Sequence, residues 1–172
     1  ELLRVVVAVD PAVTAHAGSD ETGIVAVGVA LIDGLPHGYI LGDHSLKATP
    51  DEWARMAINA YHQHHADRVI AEVNNGGDLV AHTLRTVDAN VPITQVRASR
   101  GKAARAEPIA ALYEQGRVHH VGVFAALEDQ MCRWTPTGST SPDRVDALVW
   151  ALHDLLIENT PTGKPLRLKL DW

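Results

Sequence analysis

Cysteine is nearly missing from this 172-residue chain: Cys132 stands alone, so no internal disulfide can form and no Cys-x-x-Cys pair exists to hold zinc. A reducing compartment is the simpler expectation. No apolar run approaches the roughly 20 residues that span a bilayer, and the start lacks the basic segment and small-residue cleavage site of a signal peptide. The expectation is a soluble domain with no membrane partner. A basic excess is missing too. The formal net charge is −6, which argues against a protein that simply coats nucleic acid. It leaves room for a metal-dependent nuclease, in which divalent ions offset acidic charge and a local basic strip faces the phosphates. Neither Gly-x-x-x-x-Gly-Lys-Ser/Thr nor Gly-x-Gly-x-x-Gly occurs, and no serine or cysteine nucleophile motif is found. Internal repeats and low-complexity blocks are absent as well.

What is present reads as one ordinary globular domain, 46% hydrophobic and 21% charged. The chain opens at Glu1, without methionine and directly before a strand, as a piece of a longer protein would. Residues 2–10 form a nearly continuous β-branched run, expected of a strand buried on both faces. Strands over 22–32 and 38–45 follow, joined by the turn signal Asp33-Gly34-Leu35-Pro36. Thr49-Pro50-Asp51-Glu52 carries a capping threonine, a proline at the first helical position and a glutamate three residues on, predicting a helix to about residue 65. Strands and helices then alternate: strand 68–72, helix 78–88, strand 93–97, helix 103–115. This is the rhythm of parallel strands with crossover helices. A short strand 117–121, a helix 125–133, a Thr/Gly/Ser-rich loop and a last helix over 142–158, capped by Ser141, complete the pattern. The tail beyond it alternates apolar and basic residues at 166–170 and reads as either an edge strand or an arm. The fold class is therefore α/β, a mixed sheet of three antiparallel strands followed by parallel strand-helix units. Residues 1–158 form the domain and 159–172 a C-terminal tail.

Three acids occupy telling places. Asp10 ends the first strand, Glu72 ends the fourth, and Asp146 lies at the margin of the last helix's apolar stripe. If the first and fourth strands are neighbours, their carboxyl ends lie side by side, where open α/β sheets place their sites. Hard divalent ions such as Mg2+ or Mn2+ take oxygen ligands, and two-metal phosphodiester hydrolysis needs carboxylates serving ions roughly 3.5–4 Å apart. Taken singly, Asp10 could just start the turn at Pro11, and Glu72 could be a half-exposed strand end. Asp146 is harder to dismiss, because an aspartate beside an apolar stripe needs a partner. Asp143, three residues earlier, shares its helix face, although an acid in a first helical turn is favoured by the macrodipole alone. The segment Arg97-Ala98-Ser99-Arg100-Gly101-Lys102-Ala103-Ala104-Arg105 has four positive charges and no acid. It reads either as a phosphate-contacting strip or as a solvated helix entry. The ten histidines form no metalloprotease pattern: His62-Gln63-His64-His65 reads as surface at a helix end, and His119 and His120 point to opposite strand faces.

Several strings together make a specific resemblance. They are Val9-Asp10-Pro11-Ala12, Asp20-Glu21-Thr22-Gly23-Ile24, Ala71-Glu72-Val73-Asn74-Asn75-Gly76-Gly77-Asp78, Arg100-Gly101-Lys102, Arg105-Ala106-Glu107-Pro108, Leu112-Tyr113-Glu114-Gln115-Gly116-Arg117-Val118, Leu127-Glu128-Asp129-Gln130-Met131 and Ser141-Pro142-Asp143-Arg144-Val145-Asp146-Ala147-Leu148-Val149-Trp150-Ala151-Leu152. In order, and from about Val5 to Leu156, the chain resembles the nuclease domain of phage terminase large subunits. The resemblance implies an RNase H-like fold and a metal-dependent endonuclease that cuts double-stranded viral DNA with low sequence specificity during packaging. It puts the catalytic acids on Asp10, Glu72 and Asp146, with Asp143 as an accessory ligand, Mg2+ or Mn2+ as cofactor, and Arg97, Arg100, Lys102 and Arg105 on DNA. It further implies an ATPase motor domain, a portal and a small terminase subunit as partners, in host cytoplasm at the procapsid portal. A junction resolvase on the same fold, or a non-catalytic DNA-clamping or capsid-docking module, are the alternatives.

Overall fold

The computed structural model describes residues 1–11, 21–73, 77–99, 101–135 and 142–159. Arg100, the Ser141 cap and the 166–170 alternation lie outside the described residues, as do Asn74, Asn75 and Gly76 of the resemblance strings. Six strands form one sheet: β1 (Arg4–Asp10), β2 (Gly23–Ile32), β3 (Leu35–Asp43), β4 (Arg68–Glu72), β5 (Ile93–Val96) and β6 (Val118–His120), in the order β5-β4-β1-β2-β3-β6. β1 to β3 are antiparallel neighbours; β4 pairs with β1, β5 with β4 and β6 with β3, each in parallel. The helices are α1 (Pro50–Gln63), α2 (Gly77–Val87), α3 (Lys102–Glu114), α4 (Ala125–Arg133) and α5 (Asp143–His153), the last continued by a π-helical turn, Asp154–Glu158. This is the mixed sheet expected of an RNase H-like domain, with β1 at its centre.

Strand parity decides what faces what. Val5, Val7 and Val9 of β1 pack with Trp53, Ala57 and Leu84 of α1 and α2. Val6 and Ala8 point the other way, into a core with Leu148 and Leu152 of α5 and Ile109 of α3. Side chains alternate with period two, so Asp10 falls on the α5 side. Ile70 belongs to that same core, so Glu72, two residues on, faces α5 as well. The parallel register Val9↔Ala71 then sets Asp10 and Glu72 level with each other. Across the antiparallel pair, Asp10 stands opposite Gly23.

Beyond shifts of a residue or two at element ends, two features differ from the sequence expectation. β3 begins at Leu35 rather than residue 38, because Asp33 (φ 50°) and Gly34 (φ 79°) alone make the hairpin turn. Two successive positive φ values match the right-handed twist of the strands they join, so no longer loop is required. The last helix is not uniform: after His153 it widens, and the N–H of Asn159 reaches the carbonyl of Asp154, five residues back, at 3.0 Å. Leu155 and Leu156 stay buried through that turn, and their apolar stripe looks the same in sequence for either winding. At the start of α1, Glu52 Oε2 accepts from the Thr49 N–H (2.9 Å) and hydroxyl (2.8 Å), as the capping signal implied.

The histidines also divide. His62 is exposed and pairs with Asp88 at 3.0 Å. His64 is half-buried instead: its Nε2 lies 2.9 Å from Nε2 of His44, and both rings stand where a Cβ on Gly42 would be. Burial lowers the pKa of each below the ordinary imidazole value; Asp43 partly offsets this for His44, while His44 adds to it for His64. The fold therefore prefers both rings neutral. The resulting stability is present above the unfolded value of about 6.5 and is lost as pH falls through the lowered folded values. Thermal melts from pH 7.5 to 5 should show that loss, and His64→Gln should flatten it. An equal slope in the variant would remove the pair as its cause.

Candidate active site

The end of the sheet at the carboxyl termini of β1 and β4 gathers the acids that the sequence singled out. Glu72, Asp143 and Asp146 are buried, at 5%, 7% and 5% exposure, and Asp10 is partly exposed. Carboxylates at such burial need compensation. Burial first, then the charges of Glu72, Asp146 and Asp143, push the pKa of Asp10 well up, and its carboxyl hydrogen-bonds to that of Glu72. Like charges at close quarters cannot all ionise freely. Asp146 is also raised, mainly by burial, although Lys102 and Arg105 pull the other way.

The opposing charges come from α3. Lys102 Nζ donates to Asp146 Oδ2. Arg105 is 7% exposed and lies between the two acids, with Nη1 3.6 Å from Glu72 Oε1 and Nη2 3.8 Å from Asp146 Oδ1. Its guanidinium also sits 4.4 Å from the ring centre of Trp150. The indole Nε1 of Trp150 donates to Glu72 Oε2 at 2.6 Å. Of the four basic residues expected on DNA, Lys102 and Arg105 thus converge on the acids, Arg97 is exposed away from these pairings, and Arg100 lies outside the described residues. Among the described residues no three His, Cys, Asp or Glu side chains form a closed metal cage; the acids are partly turned onto these cations.

The start of α5 is fixed by contacts that the sequence did not announce. The N–H of Val145 is met by Gln130 Oε1 of α4 at 3.0 Å, a side-chain acceptor for a helix-start donor. Arg144 ties α5 to the rest: its Nε donates to Glu21 Oε2 at 2.7 Å and its Nη1 to Asp43 Oδ2. Asp43's side chain is only 6% exposed, so Arg144→Met would strand a buried carboxylate. The loss should be about 2 kcal/mol, the scale for an orphaned buried charge relieved in part by water. Urea unfolding checks it, and a midpoint unchanged within error would reduce the ion pairs to surface decoration. A cavity of about 460 Å³ between α4 and this end of α5 is lined by Gln130, Arg133, Trp134 and Arg144 among others, but by none of the four acids. Trp150, Arg144 and the inward role of Arg105 were missed in sequence. Arg105 sits one helical turn after Lys102, the sole hint that both could address one point.

Comparison with known proteins agrees with this fold. No curated protein matches the chain. Among solved structures, the large terminase nuclease of the thermophilic phage G20c is similar in three forms. The zinc-bound form has a TM-score of 0.63 at 18% identity over 87% of this chain and 80% of its own. The cobalt-bound form gives 0.64 at 16% identity over 86% and 79%. The magnesium-bound form gives 0.62 at 18% identity, again over 86% and 79%. At such identity the likeness establishes the RNase H-like fold. The family model described as the terminase RNaseH-like domain matches residues 7–155, a span that contains every acid of the site, and the chain belongs to that family.

Proposed function

We propose that this domain is a divalent-metal-dependent endodeoxyribonuclease that cuts double-stranded viral DNA, with low sequence specificity, during genome packaging. The observation that carries the reading is the convergence of Asp10, Glu72, Asp143 and Asp146, drawn from two strand ends and one helix, into a single cluster in which Asp10 and Asp146 are held above the usual aspartate range. Family membership supports a nuclease, and the G20c terminase nuclease has been crystallised with magnesium, zinc and cobalt.

The donor set fits hard divalent ions, with Mg2+ or Mn2+ the expected choice. All four donors are carboxylates, and they outnumber Lys102 and Arg105, the cations paired with them. Asp10, Glu72 and Asp146 would hold the ions, with Asp143 as an accessory. When bound, such ions activate water and neutralise charge on the phosphate. Hydrolysis joins the water oxygen to phosphorus and breaks one P–O ester bond, and the departing oxygen takes up a proton. Lys102, 45% exposed along its side chain, can turn from Asp146 toward a phosphate. Arg97, and Arg100 by its place in the sequence, would extend the basic strip along the DNA backbone, where contacts position DNA without reading bases. In the whole protein the partners would be an ATPase motor domain, the portal and the small terminase subunit, acting in host cytoplasm at the procapsid portal.

Supercoiled plasmid incubated with Mn2+, Mg2+ or chelator tests the reading. Nicking that needs the metal and disappears in Asp146→Asn is expected. Unchanged cutting by that variant would sink the assignment. Cutting confined to branched DNA would indicate a junction resolvase, and binding without cutting a clamping module.

A further inference from the structure

Arg105 is spent differently from an ordinary phosphate contact. Its side chain is 8% exposed, its guanidinium carbon sits over the Trp150 ring, and it faces Glu72 and Asp146 together. Yet both ion pairs, at 3.6 and 3.8 Å, exceed hydrogen-bond length, and its Nε is buried without a hydrogen-bond partner among the described residues. A guanidinium held to recognise a fixed carboxylate makes short paired bonds. Here the charge is placed and the hydrogen bonds are left long. Trp150 completes the arrangement from below, since its N–H fixes Glu72 while its ring face carries the cation.

We infer that Arg105 is the built-in counter-ion of the carboxylate cluster, a positioning residue that holds Glu72 and Asp146 together and competes with divalent cations for them. Its positive charge offsets the acids' repulsion when they stand alone, and opposes any further cation that approaches the same oxygens. The metal part of this inference rests on the function proposed above; the counter-ion part does not.

The test therefore has two arms, on the domain as it stands. In chelator, Arg105→Met keeps the apolar stem on Trp150 but removes the charge, and should lower Tm by several degrees. In an Asp146→Asn background the same change should cost distinctly less, since one of the two facing charges is gone. Equal losses in both backgrounds would overturn the counter-ion role. In the second arm, calorimetric titration with Mn2+ should give a dissociation constant about threefold or more tighter for Arg105→Met than for wild type, while Arg105→Lys stays close to wild type. A weaker or unchanged constant in Arg105→Met would overturn the competition. Should Arg105→Met fail to fold, Arg105→Gln takes its place in both arms. If wild type shows no saturable Mn2+ binding sensitive to Asp10→Asn, the nuclease reading fails instead, and the chelator arm alone judges Arg105.

Discussion

Asp10→Asn should lower DNA cleavage about a thousandfold or more, the scale on which a member of a cooperating catalytic set acts, while raising the thermal stability of the metal-free domain. The two effects share one cause. Asp10 closes the central strand, level with Glu72 and beneath α5, and burial followed by three neighbouring carboxylates makes its charged form unfavourable. An acid whose folded pKa is raised binds its proton more tightly folded than unfolded. The contribution of Asp10 to the metal-free fold is therefore greatest below the ordinary aspartate value and is lost as pH rises through the raised one. Asparagine carries no such penalty. In chelator at pH 8 the variant should melt above wild type, with the gap narrowing at pH 5; in Mn2+ it should no longer nick plasmid. A variant that cuts normally, or melts lower in chelator at pH 8, would show that Asp10 serves the fold rather than the chemistry.

That Asp10 and Glu72 would meet was legible in sequence because strands announce themselves by apolar runs and end where a polar residue intervenes. Adjacency of β1 and β4 was a condition of that reading, and their parallel pairing meets it. Asp146 stood out against its apolar stripe. What stayed hidden depends on distances between segments far apart in the chain. Arg105 reads as one more positive charge in a basic run, and only the packing of α3 against α5 turns it inward between Glu72 and Asp146. Trp150 reads as core, and it is 8% exposed, but its N–H is aimed at a carboxylate 78 positions away. Arg144 likewise meets Glu21 and Asp43 across more than 100 residues. The turn at Asp33-Gly34 erred in the opposite sense: its local signal was correct, but a proline inside β3 at the position after Leu35 suggested a longer loop than two positive φ residues require.

Gly23→Ala should damage the domain severely, since among the described glycines its added methyl would make the shortest contact. Gly23 pairs with Asp10 across β1 and β2 and faces α5, and a Cβ there would lie 1.9 Å from the carbonyl oxygen of Asp143 and 2.5 Å from its carbon. Both are backbone atoms of a helix start held by Gln130 and Arg144, so neither can swing aside as a side-chain tip can. Gly42→Ala makes the useful contrast: its Cβ would meet the Nε2 atoms of His44 and His64 at 2.6 and 3.0 Å, and those rings can rotate away. Overpacking against backbone should cost about 3 kcal/mol or more for Gly23→Ala and clearly less for Gly42→Ala, read as urea midpoints. The same displacement lifts Asp143 and Asp146 away from Asp10, so even the fraction that stays folded should cut plasmid poorly, whereas Gly42→Ala should keep its activity. If Gly23→Ala folds and cuts like wild type, α5 does not sit on β2 as closely as the site requires, and the convergence of the four acids loses its footing.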